Sequence, residues 1–152
     1  MNVLILGSGS REHALAQALA HSPHCDQLLI VPGNGGTLKE GTNISAGADD
    51  FEGIKNLVLK NKIDLVVPGP EKPLAAGIVD AFRDDPELSA DQVLGPDQAA
   101  AQLESSKAFA KHFMQQHRIP TGAYQVFEAH EKEKAVEALK AQQPPYVIKA
   151  DG

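Results

Sequence analysis

MNVLILGSGSREHALAQAL, residues 1–19, joins a short apolar run to a helical pattern through two glycines that are one residue apart. A continuous apolar run such as Val3–Leu6 is typical of a strand buried on both faces of a parallel sheet. Gly7 and Gly9 let the backbone at the end of that strand approach a ligand, and the first N–H groups of the following helix point to the same place. The stretch therefore predicts an α/β fold with a ligand site at the carboxyl end of its first strand.

Three more apolar runs end in glycine or proline in the same way: Leu28–Val31, Leu65–Val67 and Val93–Leu94. Between the runs, the spacing of apolar residues predicts three helices, at about 11–21, 51–61 and 73–83. Repeated strand–helix–strand units imply right-handed crossovers, so we expect a doubly wound parallel sheet.

The pattern changes after Pro96, and we expect a domain boundary there, with one α/β domain over 1–96 and a second unit over 97–152. The second unit is predicted to contain helices at 97–104, 105–119 and 131–142, and strands at 123–127 and 144–152. These elements are too few for an independent core. The closing Asp151-Gly152 is typical of the approach to a glycine-rich loop, so we expect the chain to be a fragment of a longer protein or a naturally shortened gene product.

Composition narrows the class of protein. With 42% hydrophobic and 22% charged residues, the chain has the balance of a globular protein. Its single cysteine and the shortness of its apolar runs favour a reducing cytoplasm and no membrane partner. The net charge of −6 arises in residues 1–96, which hold 7 Lys and Arg against 13 Asp and Glu. Since no basic stripe exists, we expect no nucleic-acid partner, whereas a small phosphorylated ligand needs only local donors.

The first glycine loop differs from the dinucleotide-binding fingerprint in two ways. Glu12 stands where the third small residue is required, and Pro32-Gly33 follows the second strand where an acidic residue is required. Arg11 is a cation in the first turn of a helix, which is unfavourable by about 0.3–1 kcal/mol unless an anion compensates. The loop therefore favours a phosphate monoester over NAD, with a tight turn that binds no ligand as the alternative.

Four further residues outside this loop are candidates, each with a simpler alternative. Asn34 lies in a second glycine-rich loop, PGNGGT (32–37), which could be an ordinary turn. Glu71 in PGPE (68–71) could accept from a ribose diol or face solvent. Lys107 and Lys149 could contact nucleotide phosphates or be ordinary exposed lysines. The six histidines show no metal-ligand spacing, and no nucleophile–base set is apparent, so we expect no metal ligand and no catalytic residue in this chain.

The order of these motifs from residue 3 to residue 152 resembles the phosphoribosylamine–glycine ligases, a family of the ATP-grasp superfamily. The resemblance is carried by six segments: LILGSGSREHALA (4–16), PGNGGT (32–37), VVPGPEKPLAAGIVDAF (66–82), LGPDQAAAQLESSKAFAKHFM (94–114), IPTGAYQVF (119–127) and PPYVIKADG (144–152). It implies that ATP, with Mg²⁺ or Mn²⁺, phosphorylates glycine to glycyl phosphate. The amine of 5-phosphoribosylamine then attacks, giving glycinamide ribonucleotide, ADP and phosphate in purine biosynthesis.

The resemblance also implies roles for individual residues. The substrate phosphoribosylamine would be held by two loops and by Glu71 at its ribose; the loop residues are Gly7, Ser8, Gly9, Ser10, Arg11, Glu12, Gly33 and Asn34. Lys107 and Lys149 would contact ATP phosphates. The family continues past residue 152 with the metal-binding carboxylates and the adenine pocket, so we expect this chain alone to be inactive. A stand-alone sugar-phosphate-binding module without catalysis is the alternative, and the oligomeric state stays open.

Overall fold

A computed structural model of the chain describes residues 1–151. Two compact units are present: Met1–Ala101, and a second that begins at Gln102. The domain boundary predicted after residue 96 differs from this division by five residues and stays a prediction.

The first unit is built on a parallel sheet of four strands in the order β3-β2-β1-β4. The strands are β1 (Asn2–Gly7), β2 (Gln27–Pro32), β3 (Thr42–Asn43) and β4 (Leu65–Pro68). In the register of the sheet, Ile5 of β1 lies beside Ile30 of β2 and Val67 of β4. The parallel α/β sheet predicted from the apolar runs is confirmed.

Two details of the sheet differ from the prediction. β3 has only two residues and no apolar run, so the sequence pattern did not indicate it. The predicted fourth strand at Val93–Leu94 forms only an isolated bridge, in which Val93 pairs with Val66 and Leu94 N donates to Val66 O. Since only one residue pair is formed, the predicted strand at Val93–Leu94 is wrong as a regular element.

Helices cover both faces of the sheet, as a doubly wound fold requires. On one face Leu4 and Leu6 of β1 belong to a core with residues of α2 (Phe51–Asn61) and α4 (Ile78–Asp84). On the other face Val3 and Ile5 pack with Ala16 of α1 (Ser10–Ala20). Both faces of β1 are therefore apolar, which explains its continuous apolar run. Burial of each large apolar side chain here stabilises the fold by about 1.5–3 kcal/mol.

The third predicted helix, 73–83, is divided in the structure into α3 (Lys72–Ala75) and α4. Gly77 lies between them with φ of 92°, a left-handed conformation. L-residues with a side chain adopt this conformation at a cost, whereas glycine does not. The prediction of one continuous helix is wrong because Gly77 turns the chain.

Three helices follow: α5 (Gln98–Ser105), α6 (Lys107–Gln116) and α7 (Lys132–Ala141). They confirm the helices predicted at 97–104, 105–119 and 131–142, although α6 is shorter than predicted at both ends. The strands predicted at 123–127 and 144–151 are absent from the described part of the second unit, and residue 152 lies outside it. No neighbouring strand pairs with either segment there, so apolar residues such as Val147 remain 78% exposed. Among the described helices, none is long and apolar enough to cross a membrane.

Candidate functional site

The strand order creates a crevice at the carboxyl edge of the first unit's sheet. β1 lies in the middle, with β2 and β3 on one side and β4 on the other. The connection after β3 crosses to the other side of β1, so the switch point of the strand order lies between β1 and β4. In open α/β sheets, ligands bind at such a switch point. A crevice of about 490 Å³ lies there, lined by the loop from Gly7 to Glu12 together with Pro32, Ala48 and Pro70. This volume suits a small molecule.

The loop from β1 to α1 is organised around the carboxylate of Glu12. Gly9 is the N-cap of α1, and its N–H donates to Glu12 Oε2 at 2.5 Å. The third helical residue thus reaches back to the N-cap amide and also supplies the negative charge that a helix N-terminus favours. Glu12 is only 4% exposed. Its predicted contact with substrate stays a prediction, and the contact that the structure shows is internal to the loop.

Arg11, unlike the adjacent residue Glu12, is exposed to solvent. Its side chain is 68% exposed, and its Nη2 atom lies 3.8 Å from Oε2 of Glu71, which is 47% exposed. An exposed pair of this kind contributes at most about 1 kcal/mol to stability. Arg11 and Glu71 therefore bring an exposed, weakly paired cation and carboxylate to the two loops that border the switch point.

Asn34, in the loop after β2, holds that loop against the β1–α1 loop. Its Nδ2 donates to Ser8 O at 2.9 Å and to Gly9 O at 3.3 Å. Its Oδ1 accepts from the backbone N–H groups of Gly36, at 2.7 Å, and Thr37, at 3.1 Å. The side chain thus connects two of the loops that were expected to bind substrate. Its direct contact with a ligand stays a prediction.

Three more residues contact one another at the loop after β2: Gly33, and Thr37 and Asn43, which were not candidates from the sequence. Thr37 is fully buried, and its Oγ1 accepts from Asn34 N at 2.8 Å and lies 2.8 Å from Asn43 Oδ1. Gly33 has φ of 72°, and a Cβ there would lie 2.3 Å from Asn43 Oδ1. The Asn-Gly-Gly-Thr sequence is a recognisable turn signal. Nothing in the local pattern indicated Asn43, because its role depends on pairing between strands.

Lys107 and Lys149 both belong to the second unit. Lys107 is the first residue of α6, and Lys149 is exposed. The carboxylate of Asp151 accepts from Lys107 N at 2.6 Å, Ala108 N at 3.1 Å and Ser106 Oγ at 2.9 Å. The Ala108 N–H, and then the Ser106 hydroxyl, hold the pKa of Asp151 below its ordinary value. The segment that carries Lys149 therefore returns to the start of α6, and the contacts of both lysines with ATP stay predictions.

No group of three His, Cys, Asp or Glu side chains that could hold a metal ion occurs within residues 1–151. The described residues thus do not fit a metal site.

The doubly wound sheet and its glycine-lined crevice define an α/β domain with a candidate small-molecule site at the switch point. The chain belongs to the phosphoribosylglycinamide synthetase family. Residues 1–104 match the model described as phosphoribosylglycinamide synthetase, N domain, and residues 105–152 match the one described as its ATP-grasp (A) domain. The expected family and the expected start of an ATP-grasp domain are confirmed.

Individual relatives agree with this assignment. The chain is 47% identical to a phosphoribosylamine–glycine ligase of Allochromatium vinosum and 46% identical to one of Salmonella typhi, in each case over its whole length. It covers 35% and 34% of these proteins, so it spans about a third of the length of the curated relatives it matches.

Two solved structures from Thermotoga maritima are similar to this one. A phosphoribosylamine–glycine ligase superposes with a TM-score of 0.70 at 36% identity, covering 100% of this chain and 33% of that one. An N5-carboxyaminoimidazole ribonucleotide synthetase superposes with a TM-score of 0.61 at 16% identity, covering 89% of this chain and 36% of that one. The second likeness shows the fold alone.

Proposed function

We propose that this chain supplies the substrate-binding domain and the first part of the ATP-grasp domain of a phosphoribosylamine–glycine ligase. The reaction joins glycine to 5-phosphoribosylamine and cleaves ATP to ADP and phosphate, in purine biosynthesis. The family match and the names of the relatives support the proposal. The observation that carries it is the crevice at the β1–β4 switch point, where Arg11 and Glu71 lie on its two bordering loops.

In this proposal the crevice recognises the two ends of a ribose phosphate. The guanidinium of Arg11 attracts the phosphate, helped by the backbone N–H groups at the start of α1. The Gly9 N–H is not available for this purpose, because it donates to Glu12. The carboxylate of Glu71 accepts from the ribose hydroxyls, as acidic residues do at other switch-point sites.

The contribution of the first unit to catalysis is positioning. Once ATP has converted the glycine carboxylate to an acyl phosphate, the amine of phosphoribosylamine forms the new C–N bond and phosphate leaves. Holding the sugar phosphate at a fixed place turns this encounter into a reaction between aligned groups. Lys107 and Lys149 would hold ATP phosphates. The described residues supply no group of side chains that would hold a metal ion. The partners of the protein are these small molecules. Its single cysteine, Cys25, favours the cytoplasm as the compartment of the protein.

Calorimetric titration of the chain with ribose 5-phosphate tests the binding proposal, with NAD as the comparison ligand. We expect ribose 5-phosphate to bind and NAD not to bind. Binding of NAD without binding of ribose 5-phosphate would contradict the proposal.

A chimaera tests the ligase reaction itself. The aligned region of the Salmonella typhi relative is replaced by this chain, and ADP formation is measured with glycine and phosphoribosylamine. We expect ADP formation that requires both substrates. A folded but inactive chimaera, together with ribose 5-phosphate binding by the chain, would favour the stand-alone binding module instead.

A further inference from the structure

We propose that Glu12 determines which phosphate the crevice accepts. Its carboxylate accepts an N–H of the glycine-rich turn that holds the pyrophosphate in dinucleotide-binding folds, and so restricts the site to phosphate monoesters. The identity of the native ligand as a sugar phosphate rests on the proposed function, whereas the exclusion of pyrophosphates rests on the geometry around Glu12 alone.

Glu12 is buried at the start of α1. The side chain is 4% exposed, yet it lies at the lining of an open crevice. Its Oε2 accepts the N–H of Gly9, an amide of the glycine-rich turn. In dinucleotide-binding folds, amides of this turn and of the helix start hold the pyrophosphate. The protein's own carboxylate has taken one of these donors.

Three glycines leave the space that this carboxylate occupies. A Cβ on Gly7 would lie 2.8 Å from Glu12 Cδ, and a Cβ on Gly9 would lie 2.8 Å from Oε2. A Cβ on Gly69 would lie 2.0 Å from Oε1. Gly69 follows β4, so the carboxylate, which is hydrogen-bonded within the β1–α1 loop, also lies close to the loop after β4. We call Gly7, Gly9 and Gly69 the Glu12 cradle.

The filled cradle affects which ligands the crevice can accept. A pyrophosphate that approaches the turn meets a negative carboxylate and finds the Gly9 amide already bonded, so it loses a donor and gains a repulsion. A phosphate monoester can lie beside exposed Arg11 instead, outside the cradle. Glu12 is thus a positioning residue for the two loops and a barrier to dinucleotides.

Two variants test the inference. Glu12→Ala empties the cradle and places alanine at a position where the dinucleotide fingerprint accepts it. Glu12→Gln keeps the shape of the side chain and an acceptor for the Gly9 N–H but removes the charge. Glu87→Gln, on an exposed carboxylate that does not line the crevice, is the control for net charge. Each protein is titrated with ribose 5-phosphate and with ADP-ribose, and its folding is checked by thermal melting.

For Glu12→Ala we expect the affinity for ADP-ribose to rise at least about tenfold, the gain that one charge-assisted hydrogen bond supplies. Glu12→Gln should show a smaller gain in affinity for ADP-ribose, and Glu87→Gln should show no gain. The inference is overturned if folded Glu12→Ala or Glu12→Gln binds ADP-ribose no better than the wild type. Failure of the wild type to bind ribose 5-phosphate would instead contradict the proposed function, so the two failures are distinguishable.

Discussion

Arg11 Nη2 and Glu71 Oε2 lie 3.8 Å apart, on the loops that follow the parallel strands β1 and β4. The helices after these loops, α1 and α4, pack on opposite faces of the sheet. Arg11 does not pair with its neighbour Glu12, whose carboxylate is buried and accepts from Gly9. The dipole of α1 is compensated by Glu12, which leaves the Arg11 guanidinium available to an external anion.

Arg11→Ala is expected to weaken ribose 5-phosphate binding by about 1.5–3 kcal/mol, the range for hydrogen bonds to charged groups. The Tm should be unchanged or slightly higher, because the change removes a cation from the positive end of a helix. Lys60→Ala is the matched control, since Lys60 lies in the last turn of α2, where a cation is favourable. It should lower the Tm slightly and leave binding unchanged. A large loss of stability with unchanged affinity would show that Arg11 serves only the fold.

Asn34→Ala is expected to destabilise the chain by about 1–3 kcal/mol, because the Gly36 and Thr37 N–H groups lose their acceptor. It should also weaken ribose 5-phosphate binding, since the loop after β2 is no longer tied to the β1–α1 loop. Urea unfolding and calorimetric titration measure the two effects.

Asn2→Ala provides the comparison for Asn34→Ala. Asn2 Nδ2 also donates to two backbone carbonyl groups, Asn61 O and Lys62 O, but it lies at the amino end of β1. Its replacement should lower stability and leave binding unchanged. Equal losses of affinity in both variants would indicate that binding follows overall stability rather than the loop contact.

A third prediction concerns the pH dependence of stability. The hydrogen bond from Lys55 Nζ, and then the Glu87 N–H, hold the pKa of Asp85 below its ordinary value of 3.8. The stabilisation from Asp85 is therefore complete above that value and is lost as the pH falls through the lower folded-state pKa. Lys55, with its raised pKa, stays charged throughout this range.

Asp85→Asn should therefore destabilise the chain at neutral pH and do so less at about pH 3. Unfolding free energies from urea titrations at both pH values measure the difference. Asp84→Asn, an exposed neighbour with the same change of net charge, should give a small difference at both. A constant gap between Asp85→Asn and the wild type at both pH values would contradict the prediction.

The sequence predicted best what depends on continuous apolar runs. β1, β2 and β4 each have such a run because both of their faces are buried, and all three were predicted. β3 was not predicted because a strand of two residues has no periodic pattern of apolar residues. The break at Gly77 was not predicted because the apolar residues around it keep a helical spacing, and the sequence does not show the sign of the φ angle of a glycine. The two apolar segments of the second unit were read as strands, but strand formation needs a partner that the described residues do not provide.

The candidate site was predicted as a set of loops but not as a set of contacts. The mismatch of Glu12 with the dinucleotide fingerprint was visible in the sequence, and so was the cation at Arg11. That Glu12 lies against Gly69 was not visible, because Gly69 is far from Glu12 in the chain and the sheet brings the two together. The link from Asn34 to Ser8 is hidden for the same reason.

The last prediction tests the contact between Gly69 and Glu12 directly. Gly69→Ala should destabilise the chain by about 1–3 kcal/mol, the cost of overpacking, because the new Cβ would lie 2.0 Å from Glu12 Oε1. Gly35→Ala, in another loop where a Cβ would meet nothing within 4 Å, is the control and should be close to neutral. In the Glu12→Ala background, Gly69→Ala should cost much less, since the clashing carboxylate has gone. Urea unfolding of the wild type, both single variants and the double variant gives the coupling energy between the two positions. A coupling energy of zero would show that the loops do not depend on this contact.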